Sequence, residues 1–310
     1  MTDTRNVAAG HLAALFTILI WGTTFISTKV LLRDFSPLEV LFFRFLIGYL
    51  ILLVIYPRLI KFRSAKEELL FAAAGLFGVT LYFLLENIAL LYTFASNVGI
   101  LVSVSPFLTA ILAHYLLKEE QLRAQFFVGF IVAMIGIMLI TLNGSFVLKL
   151  DPLGDTLAVL ASVCWAAYSI LMRKISRLGY HTISCTRRIF FYGLLLMLPA
   201  MFVFDLRVGI ERFADATNLL NMLFLGLGAS ALCFVTWNWS VGILGVVQTS
   251  IYIYLVPVIT VSAAFLILDE TITAAAILGT FLTLAGLCLS DERFRKKQKR
   301  TKETMAKEAG

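Results

Sequence analysis

The stretch Asn87–Glu119, NIALLYTFASNVGILVSVSPFLTAILAHYLLKE, is written again as Asn238–Glu270, NWSVGILGVVQTSIYIYLVPVITVSAAFLILDE. Without a gap, Asn87 falls on Asn238, Asn97 on Gln248, Pro106 on Pro257 and Thr109 on Thr260. Each copy reads as an apolar hairpin with a proline in mid-span. A second echo puts Trp21 on Trp165 and Arg44 on Arg188. The chain is one unit written twice, and a fold for it must house both copies.

The apolar runs decide the class of that fold. Hydrophobic residues make up 60% of the chain and the mean hydropathy is +0.92, against roughly half apolar in soluble proteins. Runs of about 18 or more apolar residues with few charges read as membrane-spanning helices. Such spans fall at 11–32, 38–56, 69–91, 96–117 and 125–142, then at 154–172, 183–204, 218–239, 246–268 and 274–289. The expectation is an all-α integral membrane protein of ten transmembrane helices. The first run is too long for a signal-peptide core and matches a later span, so it is read as retained. Cys164, Cys185, Cys233 and Cys288 are isolated in or beside apolar spans, which suits packing and offers no metal-ligand spacing or disulfide framework.

Charge supplies the orientation. With ten spans drawn, Arg5, Arg58, Lys61, Arg63, Lys66, Lys118, Arg123, Arg173, Lys174 and Arg177 share one side with the tail. Eight of the 26 basic residues lie in that tail, 291–310. The other side receives Arg33, Lys149, Arg207 and Arg212, with Lys29 near it. Basic residues collect on the cytoplasmic face, which places both termini on the cytoplasmic side of a cell membrane and makes the tail a solvated segment rather than a nucleic-acid arm. A repeat of five spans is odd, so the second copy enters from the opposite side. The expected organisation is therefore two inverted five-helix repeats, 1–148 and 149–290, followed by the tail. Inverted repeats of this kind belong to alternating-access carriers with a substrate site near the midplane.

Candidate site residues come from the polar and aromatic positions within the spans. Trp21 and Thr24 share a face of the first span, and Trp165 and Tyr168 the matching face of the sixth; such a wall suits a small organic ligand or a plain core. Asn97 and Gln248 are amides inside the membrane, where they either hold a substrate or pin the hairpins together. Tyr252 and Tyr254 point to different faces, so at most one of them lines a cavity. Pro106 and Pro257 free backbone carbonyls and are read as hinges or packing kinks. Gly129 with Gly136, and Gly279 with Gly286, mark close helix packing. Arg44 and Glu86 fall at similar depth, Arg44 roughly 9 Å below the outer end of its span. Buried charges pair or line a water-filled path, so this pair is expected to meet near the outer gate, with Glu86 a candidate proton carrier. Arg188 has no acid at the position matching Glu86, where Trp237 stands, and is read as meeting an anionic substrate group or reaching the interface.

Trp21-Gly22, Arg44, Asn87-Ile-Ala-Leu running into Ala95, Pro106, Glu119-Glu120, Gly129 and Gly136 form an ordered set. It repeats as Trp165, Arg188, Asn238, Pro257, Asp269-Glu270, Gly279 and Gly286. With this set, the chain resembles the EamA family of drug/metabolite transporters over essentially its whole length. The resemblance implies a central cavity among ten helices and transport of small metabolites, often export of amino acids or related compounds. Glu86 matches no position of the family pattern, and Ala166 stands where a glycine follows the tryptophan.

The chain carries no nucleophile elbow, P-loop or paired-histidine metal motif, so an enzyme is not expected, nor a cofactor or metal. The reading is a secondary transporter of a small organic metabolite, an exporter by alternating access, with the bilayer and a small-molecule substrate as partners and protons a further candidate. A carrier of a lipid or lipid-linked molecule is the alternative.

Overall fold

The computed structural model describes residues 4–93, 95–117, 124–142, 151–203, 209–259, 262 and 273–290. The acidic pairs Glu119-Glu120 and Asp269-Glu270, Lys118, Arg123 and the tail 291–310 lie outside them. The described residues form helices and no strand. They are α1 Thr4–Leu31, α2 Pro37–Ile55, α3 Ala65–Tyr92, α4a Ala95–Val102 and α4b Ser105–Leu117, and α5 Ala124–Leu142. Then come α6 Pro152–Ser176, α7 Thr182–Val203, α8 Ala216–Leu244, α9 Val246–Ile259 and α10 Ala274–Ser290. Seven helical spans are long and apolar enough to cross a membrane, and 124–140 of α5, α9 and α10 are shorter apolar helices. The chain is a multi-pass membrane protein.

Local chemistry sets the helix ends. Ser36 and Glu39 cap α2 reciprocally, Ser36 N donating to Glu39 Oε2 at 2.7 Å and Glu39 N to Ser36 Oγ at 3.3 Å, with Pro37 at the first turn where its missing N–H costs nothing. Asp151 starts α6 by accepting from Leu153 N and Gly154 N. Between α8 and α9 the turn is made by Gly245 alone at φ 90°, a left-handed conformation open to a residue without Cβ.

Several of the helices carry irregularities. α3 contains a π segment at Leu76–Leu81 and α8 one at Phe224–Leu232. α4 breaks at Ser103–Val104, and α9 tightens to a 3-10 turn at Ile251–Tyr254. Each of these last two precedes a proline. Pro106 and Pro257 cannot donate to Val102 and Ile253, four residues back, so the ladder fails on that side. Ser105 Oγ takes up the Val102 carbonyl at 2.5 Å.

Packing joins the two halves. α2 lies on the α8 π segment and α7 on α3, with Gly48 facing Gly226 O and Thr80 Oγ1 donating to Gly193 O at 2.9 Å. α1 packs on α8, α3 and α4b on α6, and α5 on α10. The α5–α10 crossing rests on the four glycines. A Cβ at Gly136 would lie 2.5 Å from Gly279 O, and one at Gly279 2.5 Å from Gly136 O.

Ion pairs between the halves lie at both ends of the bundle. At the end where α2 passes to α3, Arg188 pairs with Glu68 and donates to Ile60 O, while Arg187 donates to Tyr56 O and Arg58 O. Tyr180 OH donates to Glu67 Oε2 at 2.7 Å there, and that bond holds the phenol above its usual range. We call this the basic end, after Arg58, Lys61 and Arg63. At the other end Arg212 spans both oxygens of Glu39 at 3.0 Å and reaches Asp34 O at 2.7 Å.

Candidate functional site

Near mid-depth, helices from both halves enclose a cleft of about 500 Å³, its open mouth included. α1 contributes Trp21, Thr24 and Phe25, α2 contributes Arg44, and α3 contributes Tyr82, Phe83 and Glu86. Val102 closes it from α4a, Trp165 from α6, and Ile253 and Val256 from α9. Val102 and Ile253 are the residues four before the two prolines. The helix irregularities therefore border the cleft in both copies.

The cleft holds two opposite charges. Arg44 is 2% exposed and Glu86 7%. Arg44 Nε donates to Ser230 Oγ at 3.0 Å, and the guanidinium lies over the Phe83 ring at 4.4 Å and near Phe45 at 5.4 Å. Such cation–aromatic contacts contribute about 0.5–2 kcal/mol. Glu86 accepts from Tyr82 OH at Oε1, 2.9 Å. Arg44 and Glu86 are not an ion pair; among the described residues those pairs are Arg188–Glu68 and Arg212–Glu39. The expected direct contact is thus replaced by two separate anchors. The cause is local: Ser230 and two rings hold the arginine, and a tyrosine one helical turn away holds the carboxylate.

Toward the basic end the cleft is floored by aromatic rings. Trp21 meets Trp165 edge-on at 5.2 Å and Trp237 at 5.1 Å, and Trp165 meets Tyr168 at 5.2 Å. Tyr168, Phe234 and Trp237 are fully buried. Trp21 Nε1 donates at 3.0 Å to Ala229 O, a carbonyl of the α8 π segment. That segment therefore orients Trp21 and, through Ser230, Arg44; π segments often sit at functional sites because they re-aim side chains and carbonyls.

The residues singled out from the sequence divide accordingly. Trp21, Thr24, Arg44, Glu86 and Trp165 line the cleft together. Tyr168 lies beneath it, donating to Asn238 Oδ1 at 2.6 Å, with its ring where a Cβ of Gly78 would be. Tyr252 shares a 2.8 Å hydrogen bond with His11 Nδ1, and Tyr254 is buried elsewhere. Ile253, between them in the 3-10 turn, faces the cleft. Gln248 is half-buried and does not line the cleft. The Asn97 side chain lies outside the described residues. Arg188 is far from the cleft, held by Glu68 with Tyr192 OH on the same carboxylate. Tyr82, Phe83 and Ser230 were not anticipated. Tyr82 was readable as the i−4 neighbour of Glu86 on one helix face; Ser230 was not.

The model of the EamA-like transporter family matches residues 8–142 and 152–290. A protein of Archaeoglobus fulgidus named "Uncharacterized transporter" is 28% identical over 286 residues, 90% of this chain and 96% of its own. The "Probable amino-acid metabolite efflux pump" of Salmonella typhimurium is 25% identical, covering 91% of this chain and 94% of its own. A solved structure described as "Crystal structure of protein" superposes with a TM-score of 0.75 at 19% identity, over 93% of this chain and 98% of that one; this likeness concerns the fold alone.

Proposed function

Because the chain belongs to the EamA-like transporter family, we propose that it is a secondary transporter moving a small organic metabolite, an amino acid or related compound, outward by alternating access. Residues 1–148 and 149–290 are then inverted five-helix repeats, and both termini and the tail 291–310 are cytoplasmic, within a cell membrane. The observation that carries the reading is the cleft itself: two opposed charges and two tryptophans, walled by helices from both copies. A charge at such depth is costly unless it is paired or lines a watery path. With the basic end cytoplasmic, the aromatic floor lies on the inner side of the cleft; Arg188–Glu68 joins the halves at that end and Arg212–Glu39 at the other. Protons are the proposed driving partner, with Glu86 their acceptor. The relative named as an amino-acid metabolite efflux pump supports the cargo class, and nothing among the comparisons favours a lipid cargo.

The experiment is efflux from vesicles holding the purified protein and a labelled mixture of water-soluble metabolites. A saturable loss of particular solutes, absent from protein-free vesicles, is the expected result. Release of none of them, or continuous ion currents in a planar bilayer, would count against a carrier.

Pro106 and Pro257 are the proposed hinges, since a few positions absorb the angular change in such motions. Pro106→Ala and Pro257→Ala restore a donor toward Val102 and Ile253. Each is expected to slow turnover several-fold while leaving half-saturation within about twofold, as initial efflux rates across substrate concentrations will show. Equal turnover in both variants and the parent would leave the prolines as packing features.

A further inference from the structure

Arg44 presents a particular geometry to the cleft. Its Nε is committed to Ser230 Oγ, while Nη1 and Nη2 have no protein partner among the described residues. A guanidinium held by Nε with both terminal nitrogens open is a fork matched to a carboxylate. Glu86 mirrors this: Oε1 takes Tyr82 OH and Oε2 has no partner among the described residues. An ionised carboxylate only accepts, so its open oxygen suits an ammonium. The two groups lie more than 4.0 Å apart and therefore do not neutralise each other by contact. Among the described residues they are the charged ones that line the cleft, the rest of that lining being aromatic and aliphatic apart from Thr24 and Tyr82.

We propose that the cleft selects its solute by its two charges, Arg44 taking a carboxylate and Glu86 an ammonium, with an apolar side chain against Trp21 and Trp165. The cargo is then a zwitterion, an apolar α-amino acid or a compound with that head. This rests on the transport reading above and narrows it. A singly charged solute leaves one buried group unmatched, and sites built to pair a polar group reject the analogue lacking it by large factors. A third charge on the side chain would meet no charged partner among the described lining residues.

The test uses the full-length protein in vesicles and asks what competes with its efflux. Leucine is compared with isopentylamine, which lacks the carboxylate, and 4-methylpentanoate, which lacks the ammonium; phenylalanine is compared with phenethylamine and 3-phenylpropanoate. At least one amino acid is expected to inhibit at a concentration tenfold or more below both of its analogues, and the exported solute should carry both charges. Arg44→Lys, which keeps the charge but loses the fork, should weaken amino-acid inhibition while leaving that by the amines unchanged. Saturable efflux of a neutral or singly charged solute, or analogues that compete as well as the amino acids, would overturn the zwitterion assignment and leave the carrier standing. Absence of any efflux would remove the carrier reading itself.

Discussion

Arg44→Met is expected to lower transport by about 30-fold to a few thousandfold while the protein still assembles. The substitution keeps an unbranched apolar stem of similar reach but removes the cation facing Glu86. Truncating one member of a buried, hydrogen-bonded charge interaction costs about 2–5 kcal/mol, and each 1.4 kcal/mol is about tenfold. Arg44 belongs toward the upper part of that range because it is 2% exposed, so little water can stand in for the lost group. Ser230 Oγ loses the Nε–H and the Phe83 ring its cation. Monodispersity on size exclusion separates a folded, inactive variant from one that fails to assemble. Initial efflux within about threefold of the parent, in protein that remains monodisperse, would show that the guanidinium does not touch the cargo.

The second large effect concerns stability. Gly136→Ala and Gly279→Ala are each expected to lower the thermal midpoint of the detergent-solubilised protein by several degrees. At Gly136 the added Cβ meets Gly279 O and Thr283 N, both at 2.5 Å, and at Gly279 it meets Gly136 O at 2.5 Å and Ile140 N at 2.8 Å. These are backbone atoms, so relief requires α5 and α10 to move apart along the crossing. Overpacking of this kind costs about 1–3 kcal/mol, and helix association in lipid depends on such close approach. Gly242→Ala is the control: the nearest atom to its new Cβ is Ser176 Cβ at 3.7 Å, and a helical glycine replaced by alanine gains up to about 1 kcal/mol. Equal midpoints in all three variants would mean that the crossing accommodates the added methyl groups without strain.

The glycines were legible because their role depends on size and spacing, which a sequence states directly. The tryptophans were legible for a related reason: Trp21 and Trp165, equivalent in the two copies, meet at the cleft. Arg44 and Arg188 are equivalent by the same register and yet differ in use. An inverted unit would put equivalent residues at opposite depths, and only Arg188 finds Glu68 at its own level. Equivalence in sequence therefore gave position without partner. Arg44 shows the same limit, since Ser230 reaches it through a π segment whose register no helical periodicity anticipates. In α9 it is Ile253, within the 3-10 turn, that lines the cleft rather than either neighbouring tyrosine. Asn238 appeared in the repeat as a conspicuous polar residue. Its amide bridges Tyr168 OH and Thr186 Oγ1 beneath the floor, a packing role that only the assembled helices reveal.

A single cysteine at Thr24 measures alternating exposure of the cleft most directly. Thr24 lines the cleft and its hydroxyl donates to the carbonyl of Trp21 one turn back, at 2.8 Å. Thr24→Cys, with Cys164, Cys185, Cys233 and Cys288 replaced, is treated in sealed vesicles of known orientation with a membrane-impermeant thiol reagent. The reagent is added to one side or to the other. Labelling from either side, slowed from both by the exported solute and without leak of the reagent across the membrane, is the predicted result. Labelling from one side alone, unchanged by the solute under turnover, would contradict it.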